Sequence, residues 1–252
     1  MTDAVTMDNR LLEDARLKAV EYELMCSTAI HEAGHAVFRW RNGEMLYGDA
    51  FVDLVAPFDE IIISPCLMRD APPLVTADGR EMPGLFGVVI RHGFRRPVHK
   101  VRHMQRTPHL SRTQHREWIK DAKTQAYADV IATLAGPVVQ AGHDVGPRNF
   151  YWQDELDAET LGDGYDDSRR WPDYPSTDVA HAVAIAAQEL CRGWRQTVAC
   201  MDKAVAHIEA KLASDPRYLS TILTLAETLE ERHRLDGDEA VALMLSFWRG
   251  EG

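Results

Sequence analysis

His31-Glu32-Ala33-Gly34-His35 constrains this chain more than any other feature, because it sets two imidazoles one helical turn apart in an apolar context. Thr28-Ala29-Ile30 precedes it and Ala36-Val37-Phe38 follows. On an α-helix, positions i and i+4 lie on one face, so His31 and His35 can both point at a single metal ion. Glu32 is placed beside them, where its carboxylate can reach a water on that metal. Two neutral nitrogen ligands plus a base for the nucleophilic water are what the HExxH pattern supplies. Zinc in such a site lowers the pKa of its water to roughly 7 and polarises a carbonyl. The competing interpretation is a solvated helix face that happens to carry two histidines.

The surrounding pattern sets the expected architecture: mostly α with a small β-sheet (α+β), a zincin-type HExxH helix and a helical C-terminal bundle. Helical character runs from Asp8 to about Trp40 and should stop at Arg41-Asn42-Gly43, with Gly in the left-handed position. Between Gly48 and Arg91, the β-branched runs Ile61-Ile62-Ile63 and Gly87-Val88-Val89-Ile90 suggest short strands. Pro72-Pro73 and Ala77-Asp78-Gly79 mark turns between them. Ser111 to Gln114 offers a capping-box start for a long helix over Thr113–Ala141, which Pro137 should kink or split. From Ser176 the chain reads as helix almost to its end, with breaks near Gly193, at Asp215-Pro216 and at Asp236-Gly237. No internal repeat is evident. The expected organisation is a single metallopeptidase domain over 1–252. Residues 1–110 would hold the metal helix and small sheet, and 111–252 the helical part.

With 45% hydrophobic and 27% charged residues, the composition is that of a globular chain with a real core. A formal net charge of −11 argues against a nucleic-acid partner, which needs a dominant basic face. It also disfavours docking on anionic lipid. No run of about 18 apolar residues occurs, so no membrane span is expected. Met1-Thr2-Asp3-Ala4-Val5 does not look like a secretory signal. Cys26, Cys66, Cys191 and Cys200 lack CxxC spacing and read as buried thiols, so the expected compartment is the cytoplasm.

HEAGHAV, His31 to Val37, resembles the zinc motif of the FtsH family, the peptidase part of membrane-bound ATP-dependent proteases. The resemblance continues in order. Ile61-Ile62-Ile63-Ser64-Pro65 is similar to the strand after the zinc helix, and Gly87-Val88-Val89 to the next strand, which borders the substrate groove. Leu134-Ala135-Gly136 resembles the start of the family's LxGRxAEE helix, and Ser176-Thr177-Asp178-Val179 its GASNDL segment. Leu225–Glu230 and Leu235–Glu239 resemble the last two helices. The zinc motif is specific; the later matches gain force from their order.

That resemblance implies an endopeptidase acting on peptides or unfolded proteins through a zinc-activated water, with His31, His35 and a third ligand, Asp178, on Zn2+. Glu32 would be the catalytic base, and Gly87, Val88 and Val89 would hold the substrate as an added strand. Asp178 also falls in the first turn of an expected helix, where an anion is favoured. It could instead serve only to cap that helix. His181 and the acidic-loop residues Asp154, Glu155, Asp157 and Glu159 are the competing ligands. The chain also departs from the family. No GxxxxGK[ST] loop is present, and LxGRxAEE becomes Gly136-Pro137-Val138-Val139-Gln140-Ala141 after its first two residues. The basic, histidine-rich stretch 91–112 and the acidic loop 152–174 look like insertions. A homo-oligomer or a separate ATPase partner therefore stays open, as does a non-catalytic metal-binding or regulatory module. His99 and His103 are also one turn apart but have no acid like Glu32, and surface histidines are the more ordinary interpretation.

Overall fold

The computed structural model describes residues 2–47, 57–65, 72–82, 87–90, 111–144, 146, 150–154, 156 and 177–248, with α1 side chains described over 16–43. The expected architecture is the one observed: helices dominate, joined by a small antiparallel sheet. The stretch 91–110, with His99 and His103, and nearly all of the acidic loop lie outside the described residues.

The first helix, α1 (Thr2–Tyr47), is 46 residues long and does not stop at Gly43. Gly43 is buried inside it. Its propensity cost of about 1 kcal/mol is offset by packing, because Asn42 Nδ2 donates to Ala128 O at 2.6 Å. The N-terminal part of α1 leaves Leu17, Val20, Tyr22 and Leu24 exposed, while Ala29, Ile30, Ala33, Ala36, Val37 and Phe38 enter the core.

Their main partner is α2 (Arg112–Asp144). Its start is the expected capping box: Ser111 N–H donates to Gln114 Oε1 at 3.0 Å, and Gln114 N–H to Ser111 Oγ at 3.3 Å. The unbroken buried run from Val130 to Gly136 makes α2 the central helix of the bundle. Pro137 does not split it. The proline removes the N–H that the Thr133 carbonyl would otherwise accept from, and the bundle covers that point. Close approach of α1 is possible because residue 34 is glycine: a Cβ there would lie 3.0 Å from Ala135 O.

Beyond α2 the chain forms α3 (Asp178–Ile185), a π-helical turn (Ala186–Leu190), α4 (Trp194–Ser214) and α5 (Pro216–Arg232). Asp215 caps α5 through Arg217 N–H at 3.1 Å, with Pro216 in the first turn, as the Asp-Pro pair suggested. Ile222, Leu225, Ala226 and Leu229 form the stripe that α5 buries, partly against α1. Burying each of the larger side chains there, Ile222, Leu225 and Leu229, contributes about 1.5–3 kcal/mol.

The sheet holds the strands β1 (Glu60–Ile63), β4 (Gly87–Ile90) and β5 (Arg234–Asp236) in the order β4-β1-β5, with both pairings antiparallel. A separate hairpin joins β2 (Leu74–Val75) to β3 (Glu81–Met82) through a turn at Gly79, whose φ of 83° suits glycine. The last helix, α6 (Gly237–Trp248), follows β5 directly. β1 is buried at every position. Ile63 N–H donates to His233 O at 2.9 Å, toward β5. Backbone groups alternate sides along a strand, so those of Ile62 face β4, where Ile62 stands opposite Val88. The same alternation turns the N–H and C=O of Gly87 and Val89 to the outer edge of β4. Among the described residues that edge pairs with nothing. No helix there is long and apolar enough to cross a membrane.

Candidate metal centre

His31 and His35 lie one turn apart on α1, at the point where α2 and the start of α3 converge on it. Their Nε2 atoms are 3.0 Å apart. Asp178 Oδ2 completes a triangle, 2.9 Å from His31 Nε2 and 3.2 Å from His35 Nε2. Donor atoms 2.0–2.2 Å from a tetrahedral ion stand about 3.3 Å from one another, so this triangle is close to the face of such a polyhedron. Among the described residues it is the one cluster of His, Cys, Asp and Glu side chains that could hold a metal ion.

The far side of each ring supports the same reading. His35 Nδ1 donates to the Ala132 carbonyl at 2.7 Å, and a carbonyl can only accept. Its proton is therefore on Nδ1, and the Nε2 lone pair faces the triangle. His31 Nδ1 lies 2.8 Å from Gln140 Oε1. A partner on the outer nitrogen that orients the ring is the usual support of a metal-ligating histidine. Gly136 of α2 faces both rings and, lacking a Cβ, leaves them room.

Asp178 reaches the triangle because it does not cap its own helix. Thr177 does that, with Oγ1 accepting from Ala180 N–H at 3.1 Å. Asp178, one residue on, keeps its carboxylate free to turn toward the histidines while remaining near the positive end of α3. The competing ligands fall away where they are described. His181 and Asp154 are exposed and outside the cluster. Glu155, Asp157 and Glu159 lie outside the described residues.

The electrostatics follow from packing three ionisable groups together. Burial disfavours the charged imidazole of His31, but the hydrogen bond to Asp178 and the nearby Glu32 outweigh it and push its pKa up to about 9. Burial likewise opposes ionisation of Asp178, yet the two histidines hold its carboxyl well below the usual carboxylate range. Glu32 is pushed upward, chiefly by burial. Burial thus makes the Glu32 carboxylate a stronger base than a solvated one. The centre is not sealed. Asp178 is 39% exposed while His35 is 9% exposed, so the approach from solvent is on the Asp178 side.

Glu32 is also tied to the sheet. A Cβ on Gly87 would stand 2.6 Å from Glu32 Cγ and 2.7 Å from its Oε1, so β4 runs directly against this carboxylate. Gly87, Val88 and Val89 are thus one strand beside the centre, with only Gly87 and Val89 turning their backbone groups outward. Gly136 and Gln140 were not singled out by residue type in the sequence, although Gly136 ends the part that resembles LxGRxAEE and Gln140 falls in the part that departs from it. Comparison with known protein families and with curated proteins finds no match.

Proposed function

We propose that this chain is a zinc-dependent endopeptidase, FtsH-like in its peptidase motifs, acting on peptides or unfolded proteins in the cytoplasm. The observation that carries this reading is the triangle of His31 Nε2, His35 Nε2 and Asp178 Oδ2 with the buried Glu32 carboxyl beside it. A purely structural metal site has no use for that acid.

Under this reading His31, His35 and Asp178 hold the zinc, which supplies an activated water and polarises the scissile carbonyl. Glu32 takes the proton of the attacking water and passes it to the leaving amine as the peptide bond breaks. Its raised pKa makes Glu32 the stronger base for the first half of that exchange. The outward N–H and C=O groups of Gly87 and Val89 pair with the backbone of an extended substrate, laying it along β4 and past Glu32.

The test is degradation of casein by the purified, zinc-loaded chain without ATP, beside Glu32→Gln. Cleavage by the wild type that disappears in the variant is the expected result. Zinc bound stoichiometrically with no cleavage of casein or of short peptides would overturn the peptidase reading in favour of a binding module.

A further inference from the structure

We propose that Gln140, Ser27 and Asp144 form a polar relay that keeps a proton on His31 Nδ1, so that Nε2 is the nitrogen left to a divalent cation. This rests on the metal-centre reading above. The two histidines are supported differently. His35 donates to a main-chain carbonyl, whose polarity cannot change. His31 leans on a side-chain amide, which can present either oxygen or nitrogen, and the surrounding network decides which.

Here the network has one consistent direction. Asp144 is a carboxylate and can only accept, so the hydroxyl of Ser27, 2.8 Å from Asp144 Oδ2, donates to it. Having given its proton away, Ser27 Oγ accepts from Gln140 Nε2 at 2.7 Å. The amide oxygen of Gln140 is thereby turned to His31 Nδ1, 2.8 Å away, and accepts its proton. A flipped amide would bring N–H against the Nδ1–H and leave Ser27 facing an oxygen. The relay is built by helix periodicity. Ser27, His31 and His35 follow one another every fourth residue on α1. Ala132, Gly136, Gln140 and Asp144 do the same on α2, running the opposite way. The partner of His31 is a neutral amide, and the one formal charge of the relay stands at its far end, where Asp144 also meets His143 Nδ1 at 2.9 Å.

Gln140 is on this account a positioning residue. The experiment measures zinc affinity by chelator competition and, in chelator-treated protein, the solvent exchange of the His31 Nδ1 proton by NMR. The variants are Gln140→Leu, Gln140→Glu and Ser27→Ala. Gln140→Leu should weaken zinc binding about 10- to 100-fold and make the Nδ1 proton exchange freely. Gln140→Glu, which keeps an acceptor, should retain both properties, and Ser27→Ala should weaken zinc severalfold. A protected Nδ1 proton in Gln140→Leu, or zinc affinity within about twofold of wild type, overturns the proposal. A wild type that binds no zinc would sink the metal reading instead, and the exchange measurement would still decide the relay.

Discussion

Gly136 and His35 are packed so closely that a Cβ on residue 136 would stand 2.4 Å from His35 Nε2, and 2.8 Å from His31 Nε2. Real Cβ contacts are not that short, so any side chain there must displace the rings. Gly136→Ala is therefore expected to lower zinc affinity about 10- to 100-fold, the range for disturbing a ligand's support, while the helical circular dichroism is kept. Gly142→Ala, on the same helix with nothing within 4 Å of the added carbon, is the control and should bind as wild type.

Asp178→Ala should cost at least about 100-fold in zinc affinity, since it removes one of three ligands and the only anionic one. His181→Ala should leave affinity unchanged, because that side chain is exposed and outside the cluster. Competition against a fluorescent chelator measures both. Full zinc occupancy in Asp178→Ala would reassign the third ligand.

The metal-free and metal-loaded proteins should respond to pH in opposite senses. In the metal-free chain the pKa of His31 is raised from 6.5 to about 9 through its pairing with Asp178. Its contribution to stability is fully present below 6.5 and disappears as the pH rises through about 9. The depressed Asp178 contributes above 3.8 and loses that contribution as acid protonates it. Urea midpoints of the chelator-treated protein should accordingly fall between pH 6.5 and 9. Zinc needs the unprotonated Nε2, so its apparent affinity should rise over the same interval, by up to about tenfold per unit for one displaced proton. An affinity independent of pH there would mean that His31 is not displaced from its proton by zinc.

Val89→Pro removes an N–H that faces outward from β4 and leaves the bonds to β1 intact. Peptide cleavage should drop about tenfold, through KM, with zinc affinity unchanged; losing one hydrogen bond, worth about 0.5–1.5 kcal/mol, accounts for most of that. Val88→Pro attacks the bonds to β1 instead and should destabilise the sheet. Equal effects of the two prolines would remove the register argument.

The parts legible in the sequence were those whose cause is local. The imidazole spacing, the Ser111/Gln114 box, the Asp215-Pro216 start of α5 and the β-branched runs at Ile61 and Gly87 each signal themselves within a few residues. What was missed depends on distant partners. The stop expected at Gly43 yields to the contact of Asn42 with Ala128. The interval around Asp236-Gly237 is a strand leading straight into α6 rather than a simple break. β5 takes its pairing from β1, and Gly237 is glycine because a Cβ would meet Phe58 O at 2.1 Å. Gln140 looks like a lost glutamate until Ser27 and His31, more than a hundred positions earlier, are seen against it. The two-residue strands β2 and β3 are too short for any alternation to declare them.

The length of α1 has a mechanical side. His31 and His35 are carried on a helix that begins at Thr2, about 44 Å upstream at 1.5 Å per residue. The stretch carrying Leu17, Val20 and Leu24 stands clear of the core before the helix reaches it. No turn interrupts the helix between Thr2 and the imidazoles, so the two ligands and the exposed stretch ahead of them belong to one continuous rod.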